Sequence, residues 1–212
     1  MGGDMAAERK CLGVVHATAK GYDSMVPFIN KYLQGIQVLN FMDEGLINEF
    51  DKVKKLTPSV RKRFARLLET ADTAGTDLIL IGCTSFIPVA LALRSHTETR
   101  VVTPYEAVSA DVVGTYRKVA LVATLQGGIS PALDAITLRD AQMGTATQVE
   151  PIVMEEAFRA LQDGSRETHD ALIIERVGNI EGVDAVVLSQ FTLADLVEPL
   201  QRVCTVPVLA TM

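Results

Sequence analysis

The chain has 212 residues and a mass of 22.9 kDa, enough for one large domain or two small ones. Its 48% hydrophobic and 22% charged residues are ordinary for a globular protein and exclude a disordered chain. A net charge of −6 leaves no basic footprint for nucleic acid, and no apolar stretch nears the roughly 18 residues that span a bilayer.

Residues 1–10 are short, polar and followed at once by a strand-like run, so they do not read as a secretory signal. Three cysteines (Cys11, Cys83, Cys204) form no CxxC pair, and the three histidines (His16, His96, His169) show no ligand spacing. They imply reduced thiols in a cytoplasmic protein with no metal site. The basic residues 52–55 and 61–63 read as a solvated helix face.

In chain order, strands are expected at residues 12–16, 36–41, 77–81, 100–103, 118–123, 149–153, 185–188 and 206–209. They are β-branched and mostly without alternation, which suits strands buried on both faces of a parallel sheet. Helical patterns lie between them. Val60, Phe64, Leu67, Leu68 and Ala71 make one apolar stripe. Thr57-Pro58 and Thr103-Pro104 put a capping hydroxyl before proline at the first helical position. Thr103 with Glu106, and Thr192 with Asp195, have capping-box spacing. Alternating strand and helix predict an α/β protein with parallel sheets flanked by helices.

The chain also resembles itself. Residues 14–18 align with 120–124, pairing Thr18 with Thr124 at an offset of 106. Residues 77–83 align with 184–190, pairing Cys83 with Gln190 at an offset of 107, and 101–103 align with 208–210. Matches in one order at nearly one offset predict two duplicated lobes related by a pseudo-twofold, with the ligand cleft between them. The first lobe is placed at residues 1–113 and the second at 114–204, with a last strand in 205–212 that could return to the first.

In open α/β sheets, ligands bind outside the carboxyl ends of the strands. Gly82-Cys83-Thr84-Ser85 follows a strand and opens a helix reaching about Arg94. A cysteine beside a helix N-terminus is favoured as thiolate, with Thr84 and Ser85 as neighbouring donors. A cysteine that merely packs is the alternative. Thr18 and Thr124 are candidate hydroxyl contacts for a carboxylate. Tyr105 reads equally as a cleft phenol or a packing residue. His16 is a core histidine or, if it reaches the cleft, a second proton carrier. Glu106 reads as a capping residue.

The strand order, the Gly82-Cys83-Thr84-Ser85 turn, residues 102–107, residues 119–124 and the closing Val206-Pro207-Val208-Leu209 together resemble the aspartate/glutamate/hydantoin racemase superfamily over essentially the whole chain. The resemblance implies two α/β lobes with the active site between them, a small carboxylate or cyclic amide as substrate, and no metal or pyridoxal phosphate. A homo-oligomer is expected. In two-cysteine members, one thiolate removes the proton α to a carboxylate or carbonyl, and the opposite thiol returns one on the other face.

The sequence departs from that pattern in Leu188-Ser189-Gln190-Phe191-Thr192, where the second cysteine should stand. Gln190 does not titrate but can donate a hydrogen bond to a carboxylate or enolate oxygen. Phe191 and Thr192 would line the substrate beside it. The chain thus resembles a single-cysteine branch, with Cys11 and Cys204 as core residues. Three readings stay open: a racemase-like isomerase dependent on Cys83, a lyase of the malonate-decarboxylase kind, and a carboxylate-binding protein without turnover. In that decarboxylase the cysteine belongs to the second lobe, whereas Cys83 lies in the first.

Overall fold

A computed structural model describes residues 9–53 and 55–211. Residues 1–8 of the leading segment and Lys54 of the basic run lie outside the described residues. The chain divides into two compact units, Met1–Thr103 and Pro104–Met212.

The first unit holds a parallel sheet of β1 (Cys11–His16), β2 (Gln37–Met42), β3 (Leu78–Ile81) and β4 (Val101–Val102), in the order β2-β1-β3-β4. Its helices are α1 (Ala19–Tyr32), α2 (Glu44–Val53), α3 (Pro58–Asp72) and α4 (Ile87–Leu93). The apolar stripe of α3 buries Val60, Phe64, Leu68 and Ala71. The helix starts where expected: Thr57 Oγ1 accepts from the Val60 amide at 3.2 Å, and Pro58 takes the first position.

The second unit holds β5 (Lys118–Ala123), β6 (Gln148–Val153), β7 (Ala185–Leu188) and β8 (Val208–Ala210), parallel in the order β6-β5-β7-β8. Its helices are α5 (Pro104–Val112), α6 (Gln126–Met143), α7 (Glu155–Gln162), α8 (Arg166–Gly178) and α9 (Val197–Gln201). Its core joins Val122, Val186 and Leu188 to Ile173, Val177, Leu193 and Leu200. All eight expected strands are present, and the two sheets flanked by helices are the α/β class the sequence implied.

Both expected lobe limits are corrected. The last strand does not return to the first unit, because β8 pairs with β7 from Val186–Val208 to Leu188–Ala210. Helix α5 belongs with the second unit, where it packs against α6, so the division falls at Thr103 and not near residue 113. Burial also differs between strands. The central strands β1 and β7 are buried along their whole length, whereas β2 and β6 are largely exposed. They are sheet edges, and Pro151 in β6 is tolerated for that reason.

The backbone repeats closely. The Gly82 amide donates to Val15 O at 2.9 Å, as the Ser189 amide does to Val122 O at 2.8 Å. The Asp77 amide donates to Cys11 O, as the Asp184 amide does to Lys118 O. Every one of these pairs is offset by 107 positions. This register makes Cys83 equivalent to Gln190 but moves Thr18 onto Leu125, since both begin the helix after the first strand of their sheet. The expected Thr18–Thr124 equivalence is therefore one residue out; Thr124 corresponds to Ala17. The Asp carboxylates repeat as well. Asp77 accepts from the Cys11 amide at 2.7 Å, and Asp184 accepts from the Arg117 and Lys118 amides at 2.8 and 2.9 Å. These backbone donors hold both carboxyls below their usual range.

Candidate functional site

Each unit presents a turn at the carboxyl end of its third strand, and the two turns share one backbone. Cys83 has φ −127° and ψ 115° and precedes a 3₁₀ turn over Thr84–Phe86; Gln190 has φ −144° and ψ 142° and precedes one over Phe191–Leu196. The Phe86 amide donates to Cys83 O at 3.2 Å, as the Leu193 amide does to Gln190 O at 3.0 Å. In both turns the third residue after Cys83 or Gln190 is driven into the core: Phe86 and Leu193 are fully buried. That anchor leaves Cys83, Thr84 and Ser85, and likewise Gln190, Phe191 and Thr192, half-buried at the surface of their own unit. The 3₁₀ turn begins at Phe191, so Thr192 is inside it and does not cap a helix with Asp195 as the spacing suggested.

In the first unit, Phe86 stacks on Phe64 of α3, with ring centroids 5.3 Å apart and planes at 6°. The imidazole of His16 lies beneath the Gly82-Cys83 turn. A Cβ on Gly82 would stand 2.9 Å from His16 Nδ1 and 3.1 Å from Met25 Sδ, so only glycine fits there. His16 is 1% exposed, and Asn40 Oδ1 lies 3.0 Å from its Nε2. Taking Asn40 Oδ1 as the acceptor, Nε2 carries the proton and Nδ1 holds a lone pair, buried without a hydrogen-bond partner. Burial pushes the His16 pKa down, against a smaller upward pull from Asn40. The ring is a neutral core residue in this arrangement. Thr18 caps α1, accepting from the Gly21 amide at 2.8 Å, which leaves its O–H to donate. Glu44, just after β2, accepts from the Ala19 amide at 3.0 Å and so places a carboxylate at the start of the same helix.

In the second unit, Gln190 reaches the end of β5. Its Oε1 accepts from the Thr124 amide at 2.6 Å and from Thr124 Oγ1 at 2.9 Å. Gly128 lies against the same side chain: a Cβ there would meet Gln190 Cγ at 2.9 Å and Cδ at 3.0 Å. Ser189 Oγ donates to the Gly128 carbonyl and ties the two segments together. Thr124 is 2% exposed, and its hydroxyl is committed to Gln190, so it is not the direct carboxylate contact the sequence suggested. Tyr105 is 1% exposed, with its hydroxyl donating to Ser189 O at 3.3 Å, a packing position beneath the turn.

The two remaining cysteines differ from Cys83. Cys11 is buried in β1. Cys204 packs against the second unit's core with Sγ 3.7 Å from Val177 O, and burial pushes its thiol pKa up. Among the described residues no three His, Cys, Asp or Glu side chains gather as metal ligands, and no helix is long and apolar enough to cross a membrane. Sequence reasoning missed Asn40 and the close approaches at Gly82 and Gly128, although 124–128 follows a strand and so falls among the candidate site residues. Asn40 sits within an edge strand with no motif to mark it. Gly128 had one available signal, its place in a Gly-Gly pair at a helix start.

The sequence model of the Asp/Glu/hydantoin racemases matches residues 47–212. No functionally curated protein matches the chain in sequence. Among solved structures, the aspartate racemase of Picrophilus torridus is similar with a TM-score of 0.67 at 13% identity, covering 95% of this chain and 89% of that one. An aspartate racemase homologue from Pyrococcus horikoshii gives 0.68 at 17%, covering 95% and 93%. The allantoin racemase of Klebsiella pneumoniae gives 0.62 at 19%, covering 94% and 82%. These likenesses carry the fold. The matched segment holds both third-strand turns and the whole of the second sheet, and by it the chain belongs to the Asp/Glu/hydantoin racemase family.

Proposed function

We propose that the protein is a racemase-like isomerase that moves a proton at the carbon α to the carboxylate of a small acid, or to the carbonyl of a cyclic amide, with Cys83 as the proton-carrying group. Family membership supports the reaction class. The single observation that carries the assignment is the half-buried Cys83 thiol on a turn at the carboxyl end of β3, anchored from below by Phe86 and Gly82. In the proposed step the Cys83 thiolate takes the Cα proton and becomes a thiol. The electron pair left on carbon moves into the carbonyl to form an enediolate, whose charge needs hydrogen-bond donors. Thr84, Ser85 and the Thr18 hydroxyl are the donors assigned to the first unit. Gln190, Phe191 and Thr192 are the residues assigned to substrate on the corresponding turn of the second unit.

A second reading is favoured by one specific observation: the position equivalent to Cys83 holds Gln190, which carries no exchangeable acid proton at neutral pH. Proton transfer would then be one-sided. In the lyase form, a carbon–carbon bond to a carboxylate breaks, carbon dioxide leaves, and the remaining pair forms the enediolate. The Cys83 thiol protonates it, and the thiolate recovers a proton from water.

Incubating a panel of small α-substituted carboxylates, substituted malonates and hydantoins in deuterium oxide separates these readings. Deuterium incorporation with inversion supports the isomerase. Incorporation without inversion, or with loss of carbon dioxide, supports one-sided transfer. Binding of the panel with no incorporation, or incorporation that persists in Cys83→Ala, removes the proposed role of Cys83.

A further inference from the structure

Thr124 offers two donors to one atom of Gln190, and that asymmetry decides which way the amide faces. A backbone N–H has no lone pair, so the atom 2.6 Å from the Thr124 amide must be the oxygen; the flipped amide would set N–H against N–H. The Thr124 hydroxyl reinforces the choice at 2.9 Å. From another side, Gly128 lets the Gln190 side chain lie where any Cβ would collide with it, and Ser189 fastens that glycine's carbonyl. The amide nitrogen is left without an acceptor among the described residues, yet it is not among the sealed, unsatisfied polar atoms.

We propose that Thr124 is a positioning residue which locks Gln190 as a pure hydrogen-bond donor, so that the second unit's turn recognises an anionic oxygen, a carboxylate or an enolate, of the bound molecule. The inference deepens the small-carboxylate reading above and rests on it for the class of ligand. Its physical logic is that of electrostatic preorganisation. A donor held in place before the substrate arrives needs no reorientation when charge develops on oxygen. A titrating side chain at this position would serve proton transfer; a clamped amide serves charge instead. Gln190 then reads a carboxylate or enolate oxygen and is blind to an ammonium group, which has no acceptor to offer it.

The test is the side-chain amide pair of Gln190 in a proton–nitrogen correlation spectrum, assigned by its disappearance in Gln190→Glu, with acetate and malonate as probes. In the parent, the pair is expected away from the position of solvent-exposed glutamines and to shift on malonate titration. Thr124→Val, which keeps the amide and loses the hydroxyl, should move the pair toward the exposed position and weaken malonate at least tenfold; Thr124→Ser should restore both. Gln190→Glu tests the claim without touching Thr124. One carboxylate oxygen still accepts from Thr124, so the melting temperature should hold. The other oxygen now faces the anion, so malonate binding should be lost. A Gln190 pair at the exposed position in the parent, a pair that malonate leaves unmoved, malonate binding retained in Gln190→Glu, or Thr124→Val behaving as Thr124→Ser would overturn the proposal. None of these readouts needs turnover, so a failed exchange assay and a failed amide lock are separate results.

Discussion

The two third-strand turns have the same backbone and opposite equipment. In the first unit the turn ends in a thiol and rests on a buried ring, His16, packed under Gly82. In the second it ends in an amide held sideways by Thr124 and Gly128, with Ser189 where the first turn has glycine. The register of 107 positions puts Ala123 opposite His16, so the ring has no counterpart. Duplication copied the hydrogen-bonded frame of strand, turn and buried anchor. The two turns then differ at the half-buried Cys83 and Gln190 and also at buried positions beneath them, His16 against Ala123 and Gly82 against Ser189.

The largest effect that could break this contrast is at the thiol. Cys83→Ala is expected to reduce solvent-deuterium exchange by about 10²- to 10⁴-fold, the usual contribution of a positioned acid or base, while Cys11→Ala and Cys204→Ala change it little. Iodoacetamide mapping by mass spectrometry should label Cys83 ahead of Cys204, whose thiol is raised in pKa by burial. Full exchange activity in Cys83→Ala would remove the distinction between the turns.

Next in size is the attempt to make the turns alike. Gln190→Cys should speed exchange on the second face, or increase loss of optical purity, for a substrate that the parent processes on one face. Cysteine is shorter than glutamine, and a misplacement of about 1 Å can cost about 100-fold, so the gain is expected to be modest. If the parent already inverts its substrate quickly and the variant does not differ, another group carries the second proton.

The supports beneath the turns give smaller effects, read in stability. Gly82→Ala drives a methyl against His16 Nδ1 and Met25 Sδ and should cost about 1–3 kcal/mol, the usual range for overpacking. Chemical denaturation measures it. Gly128→Ala presses instead on Gln190 and on Ala123 Cβ, 3.0 Å away, so it should also displace the Gln190 amide signal. Equal behaviour of the Gln190 signal in the two variants would show that Gly128 has no special tie to the amide.

The smallest expected effect is in pH. Burial holds His16 below its ordinary pKa of 6.5, so the unfolded chain binds the proton more readily than the native state. Its contribution to stability is therefore complete above about pH 6.5 and is lost as pH falls through the lowered native value. Thermal midpoints from pH 8 to pH 5 should decline less in His16→Gln than in the parent. Asp140 acts lower on the scale. Burial raises its carboxyl, but hydrogen bonds from Thr145 and Thr147 outweigh that and leave it below the usual range. Its stabilisation is lost only in acid below about pH 4.

Much of the frame was legible in the chain because it follows from local rules. Strands with unbroken apolar runs, such as residues 119–123, can only be satisfied when buried between helices. Thr57-Pro58 marks a helix start by its own chemistry. Cys83 and Gln190 could be matched because the residues before each, 77–82 and 184–189, share a pattern that the turn inherits. The Thr18–Thr124 match failed because the five-residue likeness of 14–18 to 120–124 hung on a shared Ala-Thr pair, and the hydrogen-bond register shifts it by one.

By itself, then, the sequence determined the α/β class, the eight strands, the internal repeat and the two turns that end in Cys83 and Gln190. These depend on hydrophobic period, capping chemistry and short-range order, all of which are local. Only the tertiary structure decided that β8 completes the second sheet, that α5 joins the second unit, and that His16 is buried on Asn40. It alone showed that Thr124 spends its hydroxyl on Gln190. Each of those outcomes is a pairing between residues far apart in the chain. A hydrogen-bond donor has no preferred partner until folding brings one within 3 Å, so the residue types are written in the sequence and their commitments are not.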